Sequence, residues 1–173
     1  DAYSVFGLKC VIAPDVPNNA GSLGCFEIEA EPGSCVAPER PAPVTARHVI
    51  GQMLPDIVFG CLAQALPDRV PAESAGSIWV LAMTSMEDAT GDARFNVMNV
   101  GLGGIGAGPE YDGMSTTAFP SGVGTIPIEV TETEAPLIFH RKELLPDSGG
   151  AGATRGGLDR KSTRLNSSHV LIS

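Results

Sequence analysis

A glycine-rich loop is the clearest group of residues through which this chain could contact a ligand. Residues 101–106 read Gly-Leu-Gly-Gly-Ile-Gly and follow a predicted strand, which matches the Gly-x-Gly-x-x-Gly pattern of dinucleotide-binding loops. Such a site needs a helix that begins at the last glycine and points its N–H groups at the phosphate. Gly108, Pro109 and Gly113 follow instead. The sequence therefore favours a tight loop between strands, or a loop whose backbone approaches a substrate closely.

Small residues and carboxylates offer two further kinds of chemistry. Residues 148–152, Ser-Gly-Gly-Ala-Gly, could form a nest of backbone amides that binds an anion, or a mobile loop. Asp112, Glu129 and Glu132 are carboxylates near the glycine loop, and two carboxylates with pKa values held apart can perform acid–base catalysis. The alternative is that these carboxylates are solvated groups on turns and strands.

Several familiar catalytic motifs are absent from the sequence. It has no Gly-x-x-x-x-Gly-Lys-Ser/Thr loop for ATP and no Gly-x-Ser-x-Gly turn for a nucleophilic serine. Cys61 falls on the apolar face of a predicted helix, where a small core residue is more typical than a nucleophile. The four cysteines form no Cys-x-x-Cys pair, and no histidine is spaced to complete a zinc site. We expect no metal site.

Composition limits the classes of partner. The chain has 173 residues, with 21 Gly and 14 Pro and a formal charge of −9, which predicts one acidic domain rich in turns. Nucleic acids and anionic membranes need clustered Lys and Arg, so we expect neither as a partner. The first residues do not form a signal peptide, so we expect a cytoplasmic protein with free thiols; a disulfide pair is the alternative.

The two ends of the sequence differ from the rest. Residues 1–12 begin directly in an apolar segment, as the middle of a longer protein would. Residues 159–173 are polar and basic, and they resemble the translation of a short-read sequencing adapter. We expect this segment to be a non-native tail that frays, because it has no amphipathic period. A genuine basic arm is the alternative.

Residues 2–12 form an apolar segment compatible with either a helix or a strand. Residues 25–30 alternate apolar and acidic side chains, which predicts a half-buried strand. Residues 45–66 carry apolar residues at helical spacing, with Thr45 as a plausible N-cap. Pro55 lies inside this segment, so we expect a kink or a break into two helices.

The second half predicts strands. Residues 77–83 and 94–100 are expected to form a hairpin through a polar turn at 87–92, and residues 126–131 and 137–144 are further strand candidates. One long helix with several strands predicts an α+β fold: mixed strands with one long kinked helix, in a fragment of a larger domain.

Six short blocks stand in an order that identifies a family. They are residues 17–21, 45–71, 103–107, 112–115, 125–129 and 147–152, and the last of them, followed by Arg155-Gly156-Gly157, is the most specific. Together they resemble the hydantoinase B/5-oxoprolinase family over residues 2–158. The resemblance implies the C-terminal part of an N-methylhydantoinase B-like domain, with residues 159–173 outside it.

The resemblance also implies an activity. Members open cyclic amides such as 5-oxoproline or hydantoin-type rings with ATP, together with a hydantoinase A-like ATP-binding subunit or domain. ATP and a divalent metal are therefore implied for the complete enzyme, whereas this fragment is expected to hold no cofactor and to be inactive alone. Related members are acetone or acetophenone carboxylases, which is one alternative. A non-catalytic assembly domain is another.

Candidate site residues come from the two glycine-rich loops and from the polar residues in the blocks beside them. The sequence does not identify catalytic residues. The candidates for substrate or phosphate binding are Asn19, Gly103, Gly104, Gly106, Asp112, Ser115, Glu129, Ser148, Gly149 and Gly150.

Overall fold

Helices and short antiparallel strands are both present, which confirms the predicted α+β class. The computed structural model describes residues 2–76, 78–85, 95–166 and 170–172. In chain order the elements are α1 (Ala2–Ile12), α2 (Ala20–Leu23), α3 (Arg47–Leu62), β1 (Ile78–Ser85), β2 (Asn96–Leu102), α4 (Ile128–Glu134), β3 (Leu137–Leu144), β4 (Arg160–Asn166) and β5 (Val170–Ile172).

The first apolar segment is the helix α1, which packs against α3. The two helices approach closely at Gly7, where a Cβ atom would lie 3.0 Å from the Cα atom of Pro55. Val11 of α1 and Phe59 of α3 are buried together beside Val70. These contacts form one of the two apolar clusters of the described chain.

The helix α3 is shorter than predicted and does not break. It runs through Pro55 as one element, and its N-cap is Ala46, which makes no side-chain capping bond; Thr45 does not cap it. Pro55 is fully buried where α3 meets α1 at Gly7. A larger side chain at position 7 would hold the two helices apart. Cys61 is exposed, contrary to the core position we expected, because α3 turns its opposite face inward.

The predicted hairpin strands pair as expected. β1 and β2 are antiparallel, from Ile78 opposite Leu102 to Thr84 opposite Asn96, and β5 pairs with the other edge of β1. The turn predicted at 87–92 lies outside the described residues, as do Ser77 and Arg94. Met83 and Val97, on one face of this sheet, form the second apolar cluster with residues of β3 and the segment before it.

Two strand predictions are wrong. Residues 25–30 keep alternating exposure but pair with no strand among the described residues, so they form no β-structure. The second wrong prediction is the strand at residues 126–131, because Ile128–Glu134 form the helix α4 with Pro127 at its N-cap. Proline lacks the N–H that a strand ladder needs, whereas it suits the start of a helix. The predicted strand at 137–144 is confirmed as β3.

The C-terminal segment pairs instead of fraying. β4 is antiparallel to β3, with Leu144 opposite Arg160 and Leu137 opposite Asn166. Backbone groups alone can pair with an open strand edge, so this contact does not need the apolar period that the segment lacks. The adapter-like origin of residues 159–173 stays a prediction.

The described helices include none long and apolar enough to span a membrane.

Candidate functional site

The two glycine-rich loops meet and line one cleft of about 390 Å³. Three segments of the chain form its walls: residues 72–75, 104–107 and 148–159. These segments are far apart in sequence, and no regular helix begins at Gly106. The loop therefore lacks the helix of a dinucleotide site, as its sequence context indicated.

Backbone hydrogen bonds hold the loops side by side. The amide of Ile105 donates to the carbonyl of Met114 at 3.0 Å, and the amide of Gly157 donates to the carbonyl of Ile105 at 2.9 Å. The amide of Gly113 donates to the carbonyl of Arg155 at 2.7 Å. The segment after the first loop, at Gly113 and Met114, is thus hydrogen-bonded to both glycine-rich loops.

Two of the predicted binding residues also hydrogen-bond to the backbone of the second loop. One carboxylate oxygen of Asp112 accepts a hydrogen bond from the amide of Arg155 at 2.7 Å. The hydroxyl oxygen of Ser115 accepts one from the amide of Leu158 at 3.0 Å. Neither side chain lines the cleft, so both position the second loop from behind.

Glycine is required by space in the walls of the cleft. A Cβ atom on Gly104 would lie 2.1 Å from the carbonyl oxygen of Gly157, and one on Gly106 would lie 1.7 Å from that of Ala72. Both distances are far shorter than any van der Waals contact between a methyl carbon and an oxygen. These glycines therefore let three backbone segments touch.

Asp159 and Ser148 form the polar floor of the cleft. A carboxylate oxygen of Asp159 accepts from the amide of Gly104 at 2.9 Å, while its own amide donates to the Ser148 hydroxyl at 2.8 Å. That hydroxyl donates to the carbonyl of Leu145 at 2.8 Å. The floor therefore joins residues that are 55 positions apart in the chain.

The rim of the cleft offers both donors and acceptors. Within the described part of the chain, the backbone amides of residues 151–153 donate to no protein acceptor, and all three residues line the cleft. Glu73, an exposed carboxylate residue, lines it too. Free N–H groups beside a carboxylate complement an uncharged amide, which carries one acceptor and one donor.

The other sequence candidates lie elsewhere or behind the wall. Gly103 and Gly149 back the cleft, since a Cβ atom on Gly149 would meet the carbonyl oxygen of Gly156 at 2.1 Å. Asn19 caps the short helix α2 through its side chain. Glu129 lies exposed in the first turn of α4. The structure thus brings Gly104, Gly106, Ser148 and Gly150 together, and it does not bring Asn19 or Glu129 to them.

Sequence reasoning missed two carboxylates of the cleft. Glu73 follows Pro71 with no motif around it, and Asp159 belongs to the segment that we expected to be a non-native tail. Only its place in the sequence could have indicated Asp159, which follows Arg155-Gly156-Gly157 by two residues and therefore lies at the cleft with the second loop.

Among the described residues, no three His, Cys, Asp or Glu side chains are grouped as they would be around a metal ion. The cleft wall contains no Lys or Arg among these residues either.

Comparison with known proteins places the chain. The sequence model of the family described as Hydantoinase B/oxoprolinase matches residues 1–170. An uncharacterized protein of Methanocaldococcus jannaschii is 37% identical over 91% of this chain and 27% of its own length. 5-Oxoprolinase 1 of Arabidopsis thaliana is 28% identical over 90% of this chain and 12% of its own length.

A third relative, from a Pseudomonas species, is named as one of the subunits of a putative D-/L-hydantoinase; it is 28% identical over 87% of this chain and 25% of its own length. The chain thus spans between 12% and 27% of the length of these three curated relatives. The order of motifs and the family match agree over nearly all of the chain. The chain belongs to the hydantoinase B/oxoprolinase family.

Proposed function

We propose that this chain is part of an ATP-dependent enzyme that opens a cyclic amide of the 5-oxoproline or hydantoin type. The observation that carries the proposal is the meeting of two glycine-rich loops in one cleft, whose lining includes both the unbonded amides of residues 151–153 and Glu73. A cyclic amide presents a carbonyl oxygen and, next to it, an N–H group. The cleft can bind both at once, which orients the ring.

The residues of the cleft suit the charge changes of ring opening. When bound to the complete enzyme, ATP supplies the phosphoryl group that activates the amide oxygen. Negative charge lies on the oxygens of that phosphoryl group, and the amides of residues 151–153, which donate to no protein acceptor among the described residues, are the donors that would bind them. Glu73 is the one cleft carboxylate without a hydrogen bond to described residues, so it is our candidate to accept a proton from water.

The partners follow from what the cleft lacks. We propose that ATP and a divalent metal are held mainly by a hydantoinase A-like subunit or domain and by other parts of the complete enzyme, since the described cleft wall has no Lys or Arg to pair with a triphosphate. One relative is named as a single subunit of a hydantoinase, which supports a multi-subunit assembly. All four cysteines are free thiols, which supports a cytoplasmic enzyme.

The test uses the complete enzyme with its ATP-binding partner. Ring-opened product is measured with 5-oxoproline and with hydantoin, with and without ATP. We expect ATP-dependent opening of at least one ring. Glu73→Gln is expected to lower kcat by about 100-fold, the usual contribution of a positioned proton acceptor. Glu110→Gln, an exposed carboxylate outside the cleft, is the matched control and should leave kcat unchanged.

Two results would overturn the proposal. Bicarbonate-dependent consumption of acetone or acetophenone, with no ring opening, would assign the chain to a ketone carboxylase. Tight binding of the partner without any ATP-coupled turnover would leave an assembly domain.

A further inference from the structure

A second cavity, of about 300 Å³, lies next to the cleft. It shares Ala72, Ile105 and Gly106 with the cleft wall. Most of its other walls are apolar and come from α1, α3 and the segment after the first glycine loop; they include Val11, Phe59, Met114 and Phe119. The rings of Phe59 and Phe119 stack with centroids 5.8 Å apart, so this wall is firmly packed.

One wall of this cavity holds a buried carboxylate. Asp56 is only 9% exposed and accepts hydrogen bonds from the amide of Ser74, at 3.4 Å, and from the Ser74 hydroxyl. Two ionised oxygens have about four acceptor sites, so acceptor capacity remains toward the cavity. No cation pairs with Asp56 among the described residues. Burying a carboxylate without an opposite charge beside it is costly, and a cationic ligand would offset that cost.

A free cation lines the same cavity. Arg69 is exposed, and its guanidinium makes no ion pair and no hydrogen bond within the described chain. Guanidinium groups bind carboxylates through two parallel N–H bonds. Asp56 and Arg69 therefore both line a cavity whose other walls are mostly apolar.

These groups match the product of ring opening better than the ring. A cyclic amide is uncharged at the bond that breaks. Hydrolysis of a lactam such as 5-oxoproline adds water across the C–N bond and, at neutral pH, leaves a new carboxylate and an ammonium group, whereas a hydantoin ring leaves a carboxylate and an uncharged ureido group. The cavity carries the two charges opposite to those of the opened lactam. We propose that it binds the ring-opened product of a lactam, an amino acid whose two charged groups are joined by carbons. This inference rests on the proposed function.

The direct test is equilibrium binding to the full chain, measured by calorimetry with four probes of one carbon skeleton. They are 5-aminopentanoate, its cyclic amide 2-piperidone, pentanoate and pentylamine. We expect 5-aminopentanoate to bind, and each single-charge analogue to bind about tenfold more weakly, the loss expected for one charge-assisted contact. 2-Piperidone should bind most weakly of all. Equal binding of 2-piperidone and 5-aminopentanoate would overturn the proposal.

Two substitutions assign the charges. Asp56→Asn keeps the shape of the side chain and should weaken 5-aminopentanoate binding by about 30-fold, as expected when one member of a buried charge pair is neutralised. Arg69→Gln should weaken it by about fivefold, since this group is exposed. Asp56→Asn should also abolish the preference for 5-aminopentanoate over pentanoate, an effect that general loosening of the fold would not produce.

Asp15→Asn and Arg47→Gln are the matched controls, because both residues are exposed and neither lines the cavity. Both controls should bind 5-aminopentanoate as the unmodified chain does. Binding that is insensitive to both cavity substitutions would overturn the proposal.

A cysteine in the wall reports occupancy independently. Cys10 lines the cavity, whereas Cys25, Cys35 and Cys61 are exposed. Alkylation of each thiol can be followed by mass spectrometry. We expect 5-aminopentanoate to slow alkylation of Cys10 alone, and 2-piperidone to have little effect at the same concentration. Protection of all four thiols, or of none, would contradict binding in this cavity.

The outcome is separable from that of the proposed function. If the complete enzyme opens a cyclic amide but Cys10 is never protected, the proposed function stands and the cavity assignment fails. If 5-aminopentanoate binds as expected while no cyclic amide is opened, the cavity is an amino-acid site and the proposed function fails.

Discussion

Gly104 and Gly150 both line the cleft, but a methyl group would meet different surroundings at the two positions. At Gly104 it would collide with the carbonyl oxygen of Gly157, whereas at Gly150 nothing lies within 4 Å. Gly104→Ala should therefore lower the free energy of unfolding by about 1–3 kcal/mol, the usual cost of overpacking. Denaturant unfolding measures this change.

Gly150→Ala is the control for that substitution, and we expect a change within about 0.5 kcal/mol. Equal losses for the two variants would show that the loops are not in the backbone contact described here.

The Cys10 thiol gives a prediction on pH. Burial raises its pKa above the ordinary value of 9.0, because the thiolate is poorly solvated in the cavity wall. The folded chain then holds this proton at a pH where the unfolded chain releases it. The free energy of unfolding should consequently fall as pH rises through and above 9.0.

In Cys10→Ser, whose hydroxyl does not ionise in this range, the alkaline loss of stability should be smaller. Cys25→Ser alters an exposed thiol and should leave the loss unchanged. Thermal unfolding across this pH range measures both variants, and identical curves for all three chains would refute the assignment to Cys10.

At the scale of elements, one side chain ties α4 to β3. A carboxylate oxygen of Glu132 accepts a hydrogen bond from the amide of Phe139 at 2.7 Å, and Phe139 belongs to the apolar cluster under the sheet. Glu132→Ala leaves that amide without its acceptor. We expect the free energy of unfolding to drop by about 1–2 kcal/mol.

Glu134→Ala, on the same helix, removes an exposed carboxylate with no hydrogen bond to the described residues. Its effect on chemical denaturation should be within about 0.5 kcal/mol. Amide exchange at Phe139 should accelerate in Glu132→Ala only, and the absence of such a difference would count against this link.

The elements differ in how far their sequence could predict them. β1, β2 and β3 have apolar residues in strand-like runs, and all three were predictable. The α3 segment has apolar residues at helical spacing, so the helix was predictable. Its ends were not, and neither was the contact between Pro55 and Gly7 of α1. The apolar residues at 126–131 alternate as they would in a strand, which led to the wrong prediction. Pro127 instead lies at the N-cap of the helix α4.

The cleft was predictable only in part. Gly104, Gly106, Ser148 and Gly150 belong to conspicuous small-residue runs, and the structure brings these runs together. Glu73 has no local signal. Asp112 and Ser115 carry chemistry-bearing side chains, yet they bond to the backbone of the second loop, and only a tertiary structure can show which partner a polar side chain takes.

For the whole molecule, the exposed apolar surface predicts self-association. Met53 and Ile57 are 49% and 58% exposed, and they lie on the face of α3 that turns away from α1. Large apolar side chains grouped on one exposed face favour association in water. The double substitution Met53→Lys with Ile57→Lys should reduce the concentration-dependent mass seen in sedimentation velocity.

Gln64→Lys adds a charge just beyond the same helix, at an exposed polar position, and serves as the control. It should leave the sedimentation profile unchanged. A double variant that associates as strongly as the unmodified chain would show that this face does not drive association.

The hydrogen bond from the Gly104 amide to the Asp159 carboxylate also has a temporal consequence. During synthesis the ribosome makes the first wall of the cleft long before the last, so a nascent chain that ends before residue 159 lacks the floor of its cleft. Under the proposed function, a ligand can meet the complete cleft only after translation has passed that position. The cleft is therefore completed last at Asp159, after both glycine-rich loops have been synthesised.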